Sequence, residues 1–245
     1  FCKPPSETVG IPPGPAFIRS WDPAWARFHS EQCSRPVTRS PFPHVVPVVM
    51  PSPPVLSFAH DCVRDALSPG GVALDATAGN GHDTLALARG VQPNGRVFAF
   101  DIQQTALDAT SRRLDAAGLI DTITLLEASH DTMADSLPSD VHGTVDAIMF
   151  NLGYLPGSDK TVITRPATTV PALHQALTLL RPGGVLTVVV YRGHDGGAEE
   201  ARAVTEWAKR LDPSTVQVHS YRTLNRTAAP ELLVIDRAPD APPED

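Results

Sequence analysis

Cysteine is scarce in this chain: three residues in 245, Cys2, Cys33 and Cys62, with no CxxC pair and no Cys/His ligand spacing. That excludes a disulfide framework and a zinc site as organising devices, so no metal is expected and a reducing compartment fits best. Long apolar runs are missing too. None approaches the roughly 20 residues that cross a bilayer, which predicts a soluble chain with no membrane partner. A cationic excess is also missing, since the net charge is −7, and a strongly basic nucleic-acid binder is excluded. What is there, 42% hydrophobic and 19% charged residues, is ordinary for a globular protein and leaves room for one α/β domain with a tail.

The charge is uneven. Between Gly70 and Phe150 eleven Asp/Glu stand against four Lys/Arg, a balance of −7, whereas between Asn151 and Arg237 eight stand against ten, a balance of +2. The second half is therefore the one expected to face a polyanion, beside the plainer reading of a mixed, solvated surface.

Residues 1–49 hold many prolines and several serines without sustained periodicity, as in GIPPGPAF and RSPFPHVVPVV. Such a composition does not readily bury a core, and it reads as a disordered extension or a targeting segment. The chain begins with Phe1, which fits a fragment, a processed leader or translated sequence upstream of a start at Met50. No charged stretch followed by an apolar one marks a secretory signal. A cytoplasmic location is expected, or an organellar one if the extension is a transit peptide. The folded domain is expected over 50–238, with an acidic tail at 239–245.

From Pro54 onward, short β-rich runs alternate with helical patterns, the mark of a parallel sheet with crossover helices. The runs predict strands at Val72–Thr77, Arg96–Ile102, Ile123–Ala128, Val145–Leu152, Val185–Tyr191, Val216–Arg222 and Leu232–Asp236. Helices are predicted at Gly81–Arg89, Gln104–Ala117, Asp131–Ser136, Val170–Leu180 and Ala198–Leu211, the fourth ended by Pro182-Gly183-Gly184. Thr223–Glu231 is too short for a crossover, so the last two strands should form an antiparallel hairpin.

At the end of the first strand VALDAT gives way to AGNGHDT, a strand, glycine loop and helix start. Gly79 and Gly81 can bring bare backbone to a ligand, and Asn80 sits between them. Dinucleotide sites use GxGxxG. Here the spacing is AxGxGxD, which favours S-adenosylmethionine over NAD, with Asp75 and Asp83 as acids for its cationic amino group. Asp83 capping its helix is the plainer alternative. Asp101 ends the second strand, where a carboxylate accepts ribose hydroxyls, and Gln103 follows at the ribose or adenine edge. The third strand ends in EASHD, putting Ser129 and His130 beside the expected adenine, although a lone loop histidine is as often structural. The fourth ends in Asn151 and a turn with Tyr154, an NLGY in the place where methyltransferases of planar amines carry an NPPY-like sequence.

The stretches DATAGNGHDT, FDIQQ, EASHD, FNLGYLPGSDK, TRPATT, LRPGG and VVYRGHDGG, in this order between about Val55 and Arg237, resemble the YtqB/MnmM family of RNA methylases. Members of that family place the terminal methyl group on 5-aminomethyluridine, commonly 2-thiolated, at the wobble position of tRNA. The resemblance implies a Rossmann-like class I methyltransferase over 50–238, a seven-stranded mostly parallel sheet with an antiparallel final hairpin and helices on both faces. It further implies S-adenosylmethionine as cofactor and the tRNA anticodon loop as partner, with a homodimer left open. Carried over by motif, Asn80, Asp83, Asp101, Gln103, Ser129 and His130 hold the cofactor, while Asn151 and Tyr154 face the target base. Lys160, Arg165, Arg192 and His194 fall in loops able to hold the anticodon. The proline-rich extension departs from the family's compact pattern.

Chemically, a neutral primary amine would attack the methyl group in line, with positioning rather than a strong base providing the acceleration. Asn151 would orient the nitrogen, and a positive charge such as Arg192 would disfavour the protonated amine. His194 is an alternative proton acceptor. Other classes remain: a methyltransferase acting on rRNA or another amine, a nicotinamide oxidoreductase sharing the glycine loop and Asp101, and a non-catalytic RNA-binding module.

Overall fold

The computed structural model describes residues 52–155, 157, 162–226 and 228–240. The extension expected over 1–49 and most of the acidic tail lie outside them.

The described chain opens with helix α1 (Val55–Ala66), then alternates strands and helices: β1 (Val72–Asp75), α2 (His82–Gly90), β2 (Arg96–Asp101), α3 (Gln104–Ala116), β3 (Ile123–Glu127), α4 (Met133–Ser136), β4 (Val145–Asn151), α5 (Pro166–Leu179), β5 (Leu180–Val190), α6 (Gly197–Ala208), β6 (Val216–Arg222) and β7 (Glu231–Arg237). The seven strands lie in the order β3-β2-β1-β4-β5-β7-β6. β1 to β5 run parallel, and β7 inserts antiparallel between β5 and β6. The order reverses between β1 and β4, which opens the crevice where such sheets bind ligands.

Strand periodicity divides the core. Leu74, Phe98, Phe100, Ile148, Phe150, Val188 and Val190 point to one face, where Leu173, Ala176 and Leu179 of α5 and Val204 and Trp207 of α6 cover them. Their neighbours Ala73, Val97, Ala147, Met149 and Val189 point to the other face, against Ala59 and Val63 of α1, Leu87 of α2 and Leu114 of α3. Every residue of β1 is buried, as expected for a central strand covered on both sides.

The differences from the sequence reading are instructive. Helix α1 is missing from that reading, although Val55, Phe58, Ala59, Cys62, Val63 and Ala66 carry helical spacing before the first strand. α5 starts four residues earlier than expected, with Pro166 in its first turn, where a missing N–H costs nothing. β5 starts at Leu180 rather than Val185, because the ladder with β4 continues across a register irregularity. There Arg181 pairs with Asp146, and a Cβ on Gly184 would come within 2.9 Å of the Asp146 carbonyl oxygen, so the glycine that looked like a helix stop permits close strand contact.

Candidate active site at the strand tips

A cavity of about 1040 Å³ opens at the carboxyl ends of β1 to β5. One wall is built from consecutive strand–helix junctions. Gly79 and Gly81 take φ of +53° and +76°. Gly81 faces α3 and not the cavity: a Cβ there would meet the Thr110 Cα at 2.8 Å. α3 also grips the loop carbonyls, through Thr110 Oγ1 to Gly79 O (3.1 Å) and Arg113 Nε to Asn80 O (2.6 Å). Gly79 and Asn80 line the cavity. Asp75 does not. It is fully buried under the loop and accepts hydrogen bonds from Thr77 N (3.0 Å) and Thr84 Oγ1 (2.6 Å). Burial, with the Asp83 charge behind it, pushes its carboxyl up to about 7. Asp75 and Gly81, both expected at the cofactor, are not among the residues lining the cavity: Asp75 lies beneath the loop and Gly81 packs against α3.

Asp101 lines the cavity with its carboxylate fixed, Oδ2 accepting from Gly79 N and Oδ1 from Gln103 N, each at 2.9 Å. Burial raises its pKa, and these backbone bonds act against that. Each oxygen keeps further acceptor capacity, which suits vicinal hydroxyls. Gln103 and Ser129 line the same wall. His130 is 8% exposed, its ring 5.7 Å from that of Phe150, and its Nε2 has no hydrogen-bond partner among the described residues. Burial lowers its pKa, so the ring is neutral. An orphaned polar nitrogen beside a fixed carboxylate and a glycine loop is what a nucleoside cofactor would complete, and the residues present fit S-adenosylmethionine.

The opposite wall is assembled from distant parts of the chain. Asn151, at the tip of β4, donates its backbone N–H to Thr77 Oγ1 (2.7 Å) and its Nδ2 to Asp83 Oδ2 (3.3 Å). That bond engages one N–H of the amide and sets its orientation, leaving Oδ1 and the second N–H for a substrate. Asp83 itself is 6% exposed and binds His60 Nε2 of α1 through Oδ1 at 2.6 Å. Tyr154 is 37% exposed at the cavity, and His194 meets its ring edge-on at 5.7 Å. The turn holding Tyr154 pairs with the segment before α5: Thr164 N donates to Gly153 O and Gly153 N to Thr164 Oγ1, both at 2.8 Å. Thr164 Oγ1 donates in turn to Glu200 Oε2 (2.7 Å), while Thr169 Oγ1 donates to Glu200 Oε1 (2.6 Å). Glu200 is 2% exposed, so this is a buried strut running from α6 to the turn.

Arg165 and His194 line the cavity. Arg192 does not, because its guanidinium bonds Glu231 Oε2 at 2.6 Å. Burial pushes the Glu231 carboxyl up, but Arg192 and Ser220 outweigh it and hold the group below its ordinary value. Arg192, expected to set a positive charge near the amine and to lie in a loop able to hold the anticodon, is ion-paired to Glu231 and is not among the residues lining the cavity. Lys160 lies outside the described residues. Sequence reasoning missed His60, Thr77, Thr164 and Glu200. The helical spacing around His60 was a usable signal for α1, and Thr77 and Thr164 lie inside DATAGNGHDT and TRPATT without their roles being readable there, whereas nothing local marks Glu200.

The family model described as "Putative rRNA methylase" matches residues 97–237. An Arabidopsis thaliana protein named "tRNA (mnm(5)s(2)U34)-methyltransferase, chloroplastic" is 38% identical over 183 residues, which cover 71% of this chain and 66% of that protein, just under two thirds of its length. A "putative rRNA-methylase" from Clostridium thermocellum has 40% identity and a TM-score of 0.73, covering 77% of this chain and all of its own. A "putative methyltransferase" from Streptococcus mutans, solved "in complex with SAH", has 34% identity and a TM-score of 0.69 over 77% of this chain and 99% of its own. The strand order, the glycine loop beneath the cavity and these likenesses lead to one assignment: the chain belongs to the rRNA methylase family of class I methyltransferases, whose cofactor is S-adenosylmethionine.

Proposed function

We propose that this protein is an RNA N-methyltransferase acting on the primary amine of 5-aminomethyluridine, 2-thiolated or not, at the wobble position of tRNA. The observation that carries this reading is Asn151 at the tip of β4, its amide fixed by Asp83 so that an oxygen acceptor remains beside the exposed Tyr154 ring. The printed name of the Arabidopsis relative supports the same substrate.

S-adenosylmethionine supplies an electrophilic methyl group. Asp101 and the Gly79–Asn80 loop bind on one side, with the neutral His130 ring behind them. On the other side Asn151 Oδ1 accepts an N–H of the amine and aims its lone pair, while Tyr154 stacks on the base. The amine nitrogen bonds to the methyl carbon as the carbon–sulfur bond breaks with its electron pair to sulfur, and then sheds a proton to water. Orientation does most of the work, so a strong base is unnecessary. An anticodon base is single-stranded and enters such a pocket without opening a duplex.

The test is mass spectrometry of nucleosides from tRNA that carries the unmethylated aminomethyl group, after incubation with protein and S-adenosylmethionine. Conversion to the methylaminomethyl nucleoside is expected, and a persistent unmethylated peak would overturn the reading. For location, the chloroplastic relative supports an organellar destination with residues 1–49 as transit segment. Among the described residues no helix is long and apolar enough to cross a membrane. A full-length fluorescent fusion confined to the cytosol would contradict the organellar reading.

A further inference from the structure

His60 belongs to none of the sequence motifs, yet α1 brings both Leu56 and His60, one turn apart, to the wall of the cavity. Its Nε2 lies 2.6 Å from Asp83 Oδ1, and the other oxygen of the same carboxylate takes the Asn151 amide at 3.3 Å. The imidazole side chain is 32% exposed and the Asp83 side chain 8%. Thr77 anchors the Asn151 backbone, and the bond to Asp83 is what holds its side-chain amide in one orientation.

We propose that His60 is a positioning residue for methyl transfer: it holds and neutralises Asp83, which in turn fixes Asn151 with its oxygen toward the incoming amine. The proposal rests on the function proposed above. Two effects follow from the chain His60–Asp83–Asn151. The first is geometric, since an Asp83 held only from one side could swing and release the Asn151 amide. The second is electrostatic. An uncompensated carboxylate on Asp83, bonded to Asn151 at the same cavity, would favour the ammonium form of the amine, which has no lone pair to donate. A protonated His60 cancels that charge and leaves the amine free to lose its proton.

The groups around His60 agree with this role. Asp83 of α2 faces it directly, Asp75 of β1 lies beneath, and Asp61 is its neighbour on α1. The bond to Asp83 raises the His60 pKa most, burial opposes it, and the three carboxylates add to the rise. Tyr191, after β5, is pushed up by burial and then by the same Asp83 charge, so it stays a neutral phenol at the cavity wall. No other cation is bonded to Asp83 among the described residues.

The experiment has an arm without RNA and an arm with it. In protein saturated with S-adenosylhomocysteine, the His60 ring resonance should titrate above the ordinary histidine value, and Asp83→Asn should return it toward that value. The Asn151 side-chain amide signal should move in His60→Leu. A His60 titration indifferent to Asp83→Asn would overturn the relay whatever the substrate proves to be. In the RNA arm, His60→Leu should lower kcat roughly 10- to 100-fold, a range set by misorientation, and move the acid limb of its pH profile up by about one unit. His60→Gln keeps a donor of similar reach, so it should recover much of kcat at high pH while retaining the shifted limb. Equal losses in both variants at every pH, with no shift, would overturn the proposal. Failure of wild-type protein to methylate the tRNA would refute the assigned substrate instead, and leaves the NMR arm to decide the relay.

Discussion

The tips of β1 to β3 and the tips of β4 and β5 enclose one cavity, but they are built over different sequence distances. On the first side, Asp101 is fixed by Gln103, two residues on, and by Gly79, 22 residues back in the preceding strand–helix unit. On the second, Asn151 depends on Asp83 and Thr77, 68 and 74 residues away, and the Tyr154 turn depends on Glu200 of α6 through Thr164, 36 residues from it. Neighbouring strand–helix units bring their loops together by topology alone, so the cofactor side needs only correct residues at each strand end. The transfer side needs elements from both ends of the domain, so it should be the side that distant substitutions disturb.

The sharpest way to separate the two sides is Asn151→Ala. It removes the acceptor aimed at the amine, so methyl transfer should fall by about 100-fold or more, while calorimetry should find S-adenosylhomocysteine affinity nearly unchanged. A large loss of affinity would merge the two sides. Next in size is Glu200→Ala, which strips two threonine hydroxyls of their acceptor in a buried site. Urea denaturation should show a stability loss of about 1–3 kcal/mol, with transfer slowed more than cofactor binding is weakened. Unchanged stability would mean that the strut is not carrying the turn. Tyr154→Ala should be milder, slowing transfer about tenfold through loss of stacking with cofactor affinity retained.

How legible this was follows the same division. The glycine loop, Asp101 and the EASHD segment lie at consecutive strand ends, so spacing alone places Gly79, Asn80, Gln103, Ser129 and His130 on one wall. The seven strands and the closing hairpin also followed from periodicity and connection length. What was not legible depends on packing. Asp75 reads like a ligand contact, but it points beneath the loop to Thr84. Arg192 reads like a free cation, but Glu231 on the adjacent strand takes it. Glu200 looks like one more exposed helical acid until α5 packs against α6 and buries it between two threonines.

A separate readout, stability against pH, tests the floor shared by both sides. Asp75 has its folded pKa raised from the ordinary 3.8 to about 7 by burial, so the folded state holds this proton more tightly than the unfolded chain does. Its contribution to stability is complete below the ordinary value and is lost as pH rises through about 7. Asp75→Asn should therefore flatten the decline in denaturation midpoint between acid and neutral pH. An unaltered pH slope would show that Asp75 is ionised in the fold.

The most direct test of the two-sided cavity is to measure S-adenosylhomocysteine affinity and single-turnover methyl transfer to tRNA in Asp101→Ala and Asn151→Ala side by side. The arrangement predicts that Asp101→Ala weakens cofactor binding about tenfold or more, the scale of a lost charge-assisted hydrogen bond. At saturating cofactor it should recover most of its transfer rate. Asn151→Ala should bind the cofactor normally and stay slow at every concentration. Parallel losses of affinity and rate in both variants would contradict it.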